Sequence, residues 1–380
     1  MIYIFSLCLC FLLTWYYDIL GGTKYKQQWY SILLIWFILV SGFQYMVGTD
    51  MEEYIEKYRD FNSSLSIKTF FESAEDRQQP GWVLLSWICR QFTNDFLLLK
   101  LIQAIFINVA IFSFFKRESK YIFLCIFFYA ISSYLVMNFN VLRQSFSVAF
   151  GLYAITYLKD NRYAKYLFFV FLAYMFHSSA LLLLIIPLFK VLKYNKKTSV
   201  LLVLGVLGAV AFLNVIDFQS VMFDIVRSGQ LGENASGLAW GYMNNDKLGT
   251  ANRGFSIGIQ FILRFFVVSY FIIKKKNYFI GGLGATFLLF MILGEIMPIL
   301  WRFRLYFEFV YYVLLAQVII ELPQKRLYQV RRIFYIVAIL LFCYTPYKDY
   351  FGKVPGIKHR YIDQYYPYHS ILDPVKEERI

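Results

Sequence analysis

Arg143 and His177 each lie within or at the end of an apolar run, where an ionisable side chain is costly to bury. A guanidinium keeps its charge and presents a planar fork of donors, which suits a phosphate or diphosphate group. An imidazole, with an ordinary pKa of about 6.5, can act as a general base or donate a hydrogen bond to a sugar or phosphate oxygen. Our hypothesis is that the two residues converge on one site at the outer face of a membrane protein.

Structural roles compete with this interpretation. Arg143 could instead reach toward lipid headgroups, as long basic side chains do near helix ends. His177 could cap a turn through Ser178 or Ser179, which follow it in the sequence MFHSSAL. Gln144, beside Arg143, is a further substrate-binding candidate.

A second pair of arginines lies in the sequence WRFRLYFEF, where Arg302 and Arg304 begin an apolar run. Two or more arginines at one cavity would suit a diphosphate leaving group. The structural alternatives are a headgroup contact or an ion pair within one helix, because Glu308 follows Arg304 by four residues. Arg253 also precedes an apolar run and has the same alternative as Arg143.

Asp50 is the carboxylate candidate, because it directly follows an apolar run in the sequence VGTDMEEY. It could activate an acceptor hydroxyl as a general base. It could equally cap the N-terminus of a helix that begins with MEEY, since aspartate is a favoured N-cap residue. The five cysteines show no CxxC or metal-binding spacing, so neither a metal nor a cofactor is expected.

The elements that carry these residues belong to a membrane protein. The 380-residue chain is 59% hydrophobic and only 16% charged, whereas soluble domains average about 45–50% apolar residues. Its net charge of +14 comes from short Lys and Arg clusters beside apolar runs. Such clusters are typical of cytoplasmic loops rather than of a basic nucleic-acid-binding face. We therefore expect the lipid bilayer as a partner and no nucleic acid.

The apolar runs predict an all-α, polytopic integral membrane protein with about ten spanning helices. The predicted spans are residues 1–20, 29–47, 96–115, 121–137, 141–158, 199–216, 255–273, 279–298, 303–320 and 333–345. A tight turn at 138–140 joins two of them. Residues 80–92 form an apolar run about 20 Å long as a helix, too short to cross the bilayer, and predict a re-entrant or interfacial helix.

Residues 163–190 predict a broken helical hairpin, because clusters of basic residues flank the apolar run on both sides. A single crossing would place one of these clusters outside the cell. The segment 163–176 would rise about 21 Å and 178–190 would return about 20 Å, with His177 at the apex. Broken helices are tolerated where they are buried in protein or line a cavity. A single long helix is the alternative.

The positive-inside rule assigns the basic loops to the cytoplasm. These loops are 21–28, 116–120, 159–165, 190–197, 274–277 and 321–332. Loops 48–95, 138–140, 217–254 and 298–302 then lie outside, where the candidate polar residues gather. Residues 1–346 are expected to form a single transmembrane domain, followed by a polar, Tyr-rich tail at 347–380.

Five short motifs resemble the EpsG family, the Wzy-like membrane proteins of bacterial exopolysaccharide and O-antigen loci. They are VGTDMEEY, PGW, NVLRQSFSVAFGL, LAYMFHSSALL and RFRLYFEF, in that order along the chain. One departure is Gln79, which precedes the Pro-Gly pair where many members carry Glu. If that Glu is catalytic in the family, its role is lost in this chain or moves to Glu75 or Asp76.

The resemblance implies a membrane glycosyltransferase with a fold like the GT-C class. It would polymerise polyprenyl-diphosphate-linked oligosaccharide units at the outer face of the bacterial inner membrane, with a chain-length regulator protein as a further partner. The catalytic candidates are His177 and Asp50, and the substrate-binding candidates are Arg143, Gln144, Arg302, Arg304, Arg253 and Trp82. A flippase for lipid-linked glycans, an O-antigen ligase and a membrane O-acyltransferase remain alternatives.

Overall fold

The structure is a computed structural model that describes residues 2–60, 79–191, 208, 254–275, 277–296, 300–321, 328–352 and 360–372. Every regular element among these residues is a helix. Several predicted features lie outside the described residues. They are the span 199–216 apart from residue 208, nearly all of loop 217–254, and the residues Glu75, Asp76 and Arg253.

The described part of the first half of the chain forms eight α-helices. They are α1 (Ile2–Leu13), α2 (Lys26–Gly42), α3 (Met51–Asp60), α4 (Pro80–Phe92), α5 (Leu97–Glu118), α6 (Ile122–Ser132), α7 (Leu142–Lys159) and α8 (Tyr163–Phe176). A π-helical turn, Thr14–Ile19, extends α1. A second one, Val136–Asn140, joins α6 to α7 where the sequence predicts a simple tight turn. Apolar Val136, Met137 and Phe139 are buried within this turn.

The described part of the second half adds five helices. They are α9 (Leu188–Val191), α10 (Gly254–Tyr270), α11 (Tyr278–Ile296), α12 (Trp301–Glu321) and α13 (Tyr328–Phe351). A π-helical turn, Phe271–Lys275, extends α10. Helix α13 has 24 residues and contains Pro346, whereas the sequence predicts a shorter span at 333–345. Hydropathy identifies only the apolar part of this helix, whereas the helix also includes polar residues on both sides of that part.

The chain divides into two compact units. Unit 1 contains Met1–Leu184, Ile319–Gly352 and His359–Ile380, and therefore α1–α8, α13 and the described segment 360–372. Unit 2 contains Ile185–Val318 and Lys353–Lys358, and therefore α9–α11 and most of α12. Both units contain residues that the sequence predicts to be functional.

Unit 1 is built around α5 and α7, which pack against each other, with α2 beside α5 and α8 beside α7. Helix α7 buries a row of small residues, including Ser145, Ser147, Ala149 and Ala154. Small residues let helix backbones approach closely in membrane proteins. The hydroxyl of Ser147 donates a hydrogen bond of 2.7 Å to the carbonyl of Ala173, which ties α7 to α8.

Three helices among the described residues are long and apolar enough to cross a membrane: Ile2–Ile19, Leu97–Glu118 and Trp301–Glu321. Helix α8 is shorter but exposes large apolar side chains such as Leu167, Phe168 and Phe171. Exposed apolar surface of this kind fits contact with lipid. A membrane protein is therefore supported, while the number of about ten spans stays a prediction.

Three loops that the sequence predicts to be cytoplasmic meet at one end of unit 1, which we call the basic end. Lys116 Nζ donates a hydrogen bond of 3.0 Å to Gln27 Oε1. Arg117 forms an ion pair with Asp160. The Arg117 guanidinium donates a hydrogen bond to that carboxyl, which holds the pKa of Asp160 below its usual value. The loops 21–28, 116–120 and 159–165 thus lie together, as the predicted topology requires.

Candidate functional site

Arg143 is the second residue of α7 and lies at the end of unit 1 opposite the basic end. Its Cζ lies 5.9 Å from the centre of the Tyr54 ring, within the range of a cation–π contact. The side chain is half-buried, and Gln144 beside it is buried. We call this end, which contains residues 46–50, 138–143 and 176–179, the Asp50 end.

An aromatic cluster lies below Arg143. The Tyr54 ring contacts Trp82 at a centroid distance of 5.4 Å, and Trp82 contacts Phe146 at 6.3 Å. Trp82 is only 5% exposed, so its indole packs in the core and presents no face for stacking on a sugar. This burial does not fit the substrate-contacting role that the sequence predicts for Trp82.

His177 is the residue at which α8 ends. Its backbone is extended, with φ −159° and ψ 128°, and its N–H still donates to the carbonyl of Ala173 at 3.1 Å. The backbone N–H of Ser179 donates to His177 Nδ1 at 3.2 Å, and Ser179 Oγ lies 2.6 Å from the same nitrogen. Because a backbone N–H can only donate, Nδ1 accepts, and in the neutral ring Nε2 carries the proton. The expected cap through Ser179 is thus formed.

The two chemical roles expected for His177 make different demands on Nε2. A neutral ring with its proton on Nε2 offers a hydrogen-bond donor at Nε2. A general base would need a free lone pair at the nitrogen that faces the substrate. Hydrogen-bond donation to a sugar or phosphate oxygen therefore fits the geometry better than proton abstraction.

The chain reverses direction at His177, as the predicted hairpin requires. The Tyr166 hydroxyl, near the start of α8, donates a hydrogen bond of 2.6 Å to the carbonyl of Leu183. If the helix continued without a reversal, the 17 residues from Tyr166 to Leu183 would span about 25 Å. The returning limb, predicted as an α-helix, is instead a 3-10 helix, Ser178–Ile185, followed by the short α9. Pro187 separates the two because it has no N–H to continue a helix.

Helix α4 has the predicted bounds of residues 80–92 and packs against the end of α8. A Cβ added to Gly81 would lie 2.7 Å from the carbonyl oxygen of Met175, so glycine permits direct backbone contact. This contact supports α8 two residues before His177.

Asp50 directly precedes α3. Its carbonyl accepts a hydrogen bond from Tyr54 N at 3.1 Å, which is the bond expected of an N-cap residue. Its Oδ1 accepts a bond of 2.8 Å from the Thr49 hydroxyl. The carboxylate is half-buried, at the start of the helix whose Tyr54 contacts Arg143.

Four separate segments therefore bring predicted residues to this part of unit 1: Asp50, Trp82, Arg143 with Gln144, and His177. Phe146, one turn after Arg143, stacks on Phe176 at a centroid distance of 4.8 Å, and His177 follows Phe176 directly. Arg143 and His177 consequently lie at the same end of the α7–α8 pair. Asp50 and Trp82 join them through Tyr54.

Beneath this end lies a buried lysine that is not among the residues predicted from the sequence. Lys100 is 1% exposed, and its Nζ donates to Gln103 Oε1 at 2.8 Å and to the carbonyl of Asn138. Gln103 Nε2 in turn donates to the carbonyl of Met137 at 3.2 Å and to Ser145 Oγ at 2.8 Å. These bonds fasten the π-helical turn and the start of α7, the segment that carries Arg143.

The polar network continues toward the middle of α5. Asn108 Nδ2 donates to Asn138 Oδ1 at 3.0 Å, and the Tyr129 hydroxyl donates to Asn108 Oδ1 at 3.0 Å. The signal for this network is present in the sequence, because Lys100, Gln103 and Asn108 all interrupt one apolar run. Intramembrane polar residues of this kind are functional candidates by default.

Arg302 and Arg304 belong to unit 2, where they lie in the first turn of α12. The Arg304 Cζ lies 5.0 Å from the centre of the Trp301 ring. The expected ion pair between Arg304 and Glu308, both described, is not formed. Glu308 accepts a hydrogen bond of 2.8 Å from the Tyr312 hydroxyl instead.

A further arginine in unit 2, Arg264, is also absent from the predicted set. It lies within the apolar α10, is half-buried, and donates to Met291 Sδ at 2.6 Å. Its position inside a predicted span was the signal for it. Within the described residues no three His, Cys, Asp or Glu side chains lie close enough to hold a metal ion.

The comparison with protein families agrees with the motifs. A family model described as EpsG family matches residues 28–370, which is most of the 380-residue chain. Searches of curated proteins and of solved structures find no match. Together with the apolar helices, the family points to an exopolysaccharide-related membrane protein. The chain belongs to the EpsG family.

Proposed function

We propose that this protein polymerises polyprenyl-diphosphate-linked oligosaccharide units into surface polysaccharide at the outer face of the bacterial inner membrane. Family membership supports a role in exopolysaccharide synthesis. The observation that carries the chemistry is the meeting of Asp50, Arg143 and His177 at one end of unit 1. A carboxylate can act as a general base, and a guanidinium and an imidazole N–H can stabilise a leaving diphosphate.

In the proposed step an acceptor sugar hydroxyl attacks the anomeric carbon of the donor sugar. The bond from this carbon to the diphosphate oxygen breaks, and the polyprenyl diphosphate leaves. The proton of the acceptor hydroxyl passes to the Asp50 carboxylate. Arg143 binds the leaving diphosphate with its charged fork of donors, and His177 Nε2–H donates to a phosphate or sugar oxygen.

The polypeptide is proposed to be a multi-pass protein with about ten spans and a GT-C-like arrangement. The Asp50 end would face outward, because the basic end carries the residues typical of cytoplasmic loops. Exposed apolar side chains on α8 would allow the polyprenyl tail to remain in the bilayer beside the site. Arg302, Arg304 and Arg253 are proposed as further phosphate-binding residues, and a chain-length regulator protein as a partner.

The experiment is a deletion strain complemented with the wild-type gene, followed by analysis of lipid-linked intermediates and of surface polysaccharide. We expect the deletion strain to carry single repeat units on the outer side and to lack long chains, and complementation to restore them. Long chains of normal length in the deletion strain would overturn the proposal.

The same strain separates polymerisation from the other activities. Repeat units that accumulate on the cytoplasmic side would indicate a flippase. Long chains that stay on the lipid carrier would indicate a ligase. An unchanged length profile with loss of acyl groups would indicate an O-acyltransferase. Each of these three outcomes contradicts the polymerase.

A further inference from the structure

The described tail segment 360–372 is bonded to the Asp50 end through backbone hydrogen bonds. Tyr45 N donates to the carbonyl of His369 at 2.9 Å, and Gly48 N donates to the carbonyl of Gln364 at 3.1 Å. Gly48 has φ +105°, and an added Cβ would lie 2.6 Å from Asn140 Oδ1. Glycine therefore allows the tail, the loop before α3 and the start of α7 to meet at one point.

Tyr361 is held at this point with part of its ring in solvent. The Tyr365 hydroxyl donates to the Tyr361 hydroxyl at 3.2 Å, and Asn140 Nδ2 donates to the Tyr365 hydroxyl at 2.8 Å. The Tyr350 ring packs against Tyr361 at a centroid distance of 5.6 Å. Tyr361 is nevertheless 43% exposed, whereas Tyr365 is fully buried. The ring is thus fixed by its neighbours and still open to a ligand.

Hydrogen-bonding groups surround this ring. Asp50 follows Gly48 by two residues, so its Cα lies within about 7 Å of the Gly48 Cα, where the tail is bonded. Gln364 and Asn140 add two amides, with Asn140 Nδ2 3.4 Å from Gln364 Oε1. Burial raises the pKa of Tyr365 well above its usual value, and the charge of Asp50 acts in the same direction. Tyr365 therefore remains a neutral hydroxyl at physiological pH.

We propose that Tyr361 is a stacking platform for a pyranose ring of the acceptor oligosaccharide, with Asp50, Asn140 and Gln364 as partners for its hydroxyls. A pyranose offers an apolar C–H face and a rim of hydroxyls, which match a fixed aromatic ring beside a carboxylate and amides. The inference rests on the proposed function, since a sugar stacked here would bring its hydroxyl toward the Asp50 base.

The geometry favours a ligand platform over a simple membrane anchor. An anchoring tyrosine directs its hydroxyl toward water and headgroups and its ring toward lipid. The Tyr361 hydroxyl instead accepts a hydrogen bond from the Tyr365 hydroxyl within the protein. Rings fixed before binding lose little conformational entropy, which favours recognition of a weakly bound sugar.

The test is saturation-transfer NMR on the full-length protein in detergent, with the single repeat-unit oligosaccharide released from its lipid carrier by mild acid. We expect transfer from the wild type and from Tyr361→Phe, which keeps the ring. Tyr361→Ala is expected to lower the transfer at least about fivefold. Tyr361→Leu keeps most of the volume without the aromatic face, and it should match Tyr361→Ala. Tyr366→Ala, which changes a more exposed tyrosine of the same segment, is the control and should behave as wild type.

Every outcome decides the inference. Equal transfer in wild type and Tyr361→Leu, or no transfer in wild type, would overturn it, as would an equal loss in Tyr366→Ala. Chain elongation is measured separately on the same preparations with lipid-linked units. If the wild type binds the sugar at Tyr361 but does not elongate chains, the proposed function is wrong and the stacking platform stands. If the wild type elongates chains without sugar binding at Tyr361, only the stacking platform is wrong.

Discussion

The chemistry of the Asp50 end depends on which atoms its side chains present. Ser179 occupies Nδ1 of His177, so the ring offers Nε2–H as a donor. The Arg143 guanidinium lies over the Tyr54 ring, and this contact limits the conformations of the Arg143 side chain. The N–H donors of a guanidinium lie in its own plane. At the scale of single residues, these two contacts restrict the orientations of the Arg143 and His177 side chains.

His177 is predicted to act through Nε2–H. Glutamine can place an amide N–H near the position of Nε2, whereas asparagine cannot reach it. His177→Asn should lower the polymerisation rate about 100-fold, a typical cost of losing one transition-state donor. His177→Gln should lower it about tenfold or less. The measurement is in vitro elongation of lipid-linked units at matched protein amounts, and equal inactivity of both variants would indicate a general base instead.

Lys100 is predicted to stabilise unit 1 through its bonds to Asn138 and Gln103. Lys100→Met fills the space but leaves the Asn138 carbonyl without this donor, which should cost about 1–3 kcal/mol. Lys100→Ala adds a cavity and should cost more, about 2–5 kcal/mol. Thermal unfolding in detergent measures both, with the exposed Lys120→Ala as an unaffected control. A Met variant as stable as wild type would mean that the carbonyl needs no donor.

At the scale of elements, the residues of the candidate site lie together because helices that are distant in sequence end at the same end of unit 1. Hydropathy and chain length predict α4 and the first limb of the hairpin with the bounds that the structure shows. The returning limb could not be predicted in detail, because a 3-10 helix and an α-helix share the same apolar composition. A long-range hydrogen bond from Tyr166 to Leu183 accompanies the return of that limb beside α8.

Gly81 is predicted to set the distance between α4 and α8. Gly81→Ala would place a methyl group 2.7 Å from the Met175 carbonyl oxygen, so backbone must shift. Such overpacking typically costs about 1–3 kcal/mol. We expect a lower melting temperature together with a reduced rate of elongation, since the shift displaces His177. Gly208→Ala, where an added Cβ meets nothing within 4 Å, is the control. Wild-type stability and rate in Gly81→Ala would contradict the role of this contact.

At the scale of the whole molecule, composition and basic loops predict a membrane protein with polar groups collected at one side. The clustering of the three basic loops in unit 1 agrees with this. Sequence could not predict that Trp82 is enclosed by Tyr54 and Phe146, because burial depends on packing between distant helices. Lys100 was visible as a charge in an apolar run, but its partners follow only from the fold.

The orientation in the membrane gives a prediction at the same scale. In a variant without the five native cysteines, Thr49→Cys should react with a membrane-impermeant maleimide in intact cells. Lys116→Cys, on an exposed residue of the basic end, should react only after permeabilisation. Lys120→Cys is a second reporter of the basic end. The opposite labelling pattern would place the Asp50 end in the cytoplasm.

The most direct test of the account is the repeat-length profile of surface polysaccharide in strains that carry single variants at matched protein levels. Arg143→Ala and His177→Ala change the Asp50 end, and Lys165→Ala changes an exposed lysine near the opposite end of α8. The account predicts that the first two strains lose long chains and retain single repeat units, while the third keeps the wild-type profile. Long chains of normal length in the Arg143→Ala and His177→Ala strains would contradict it.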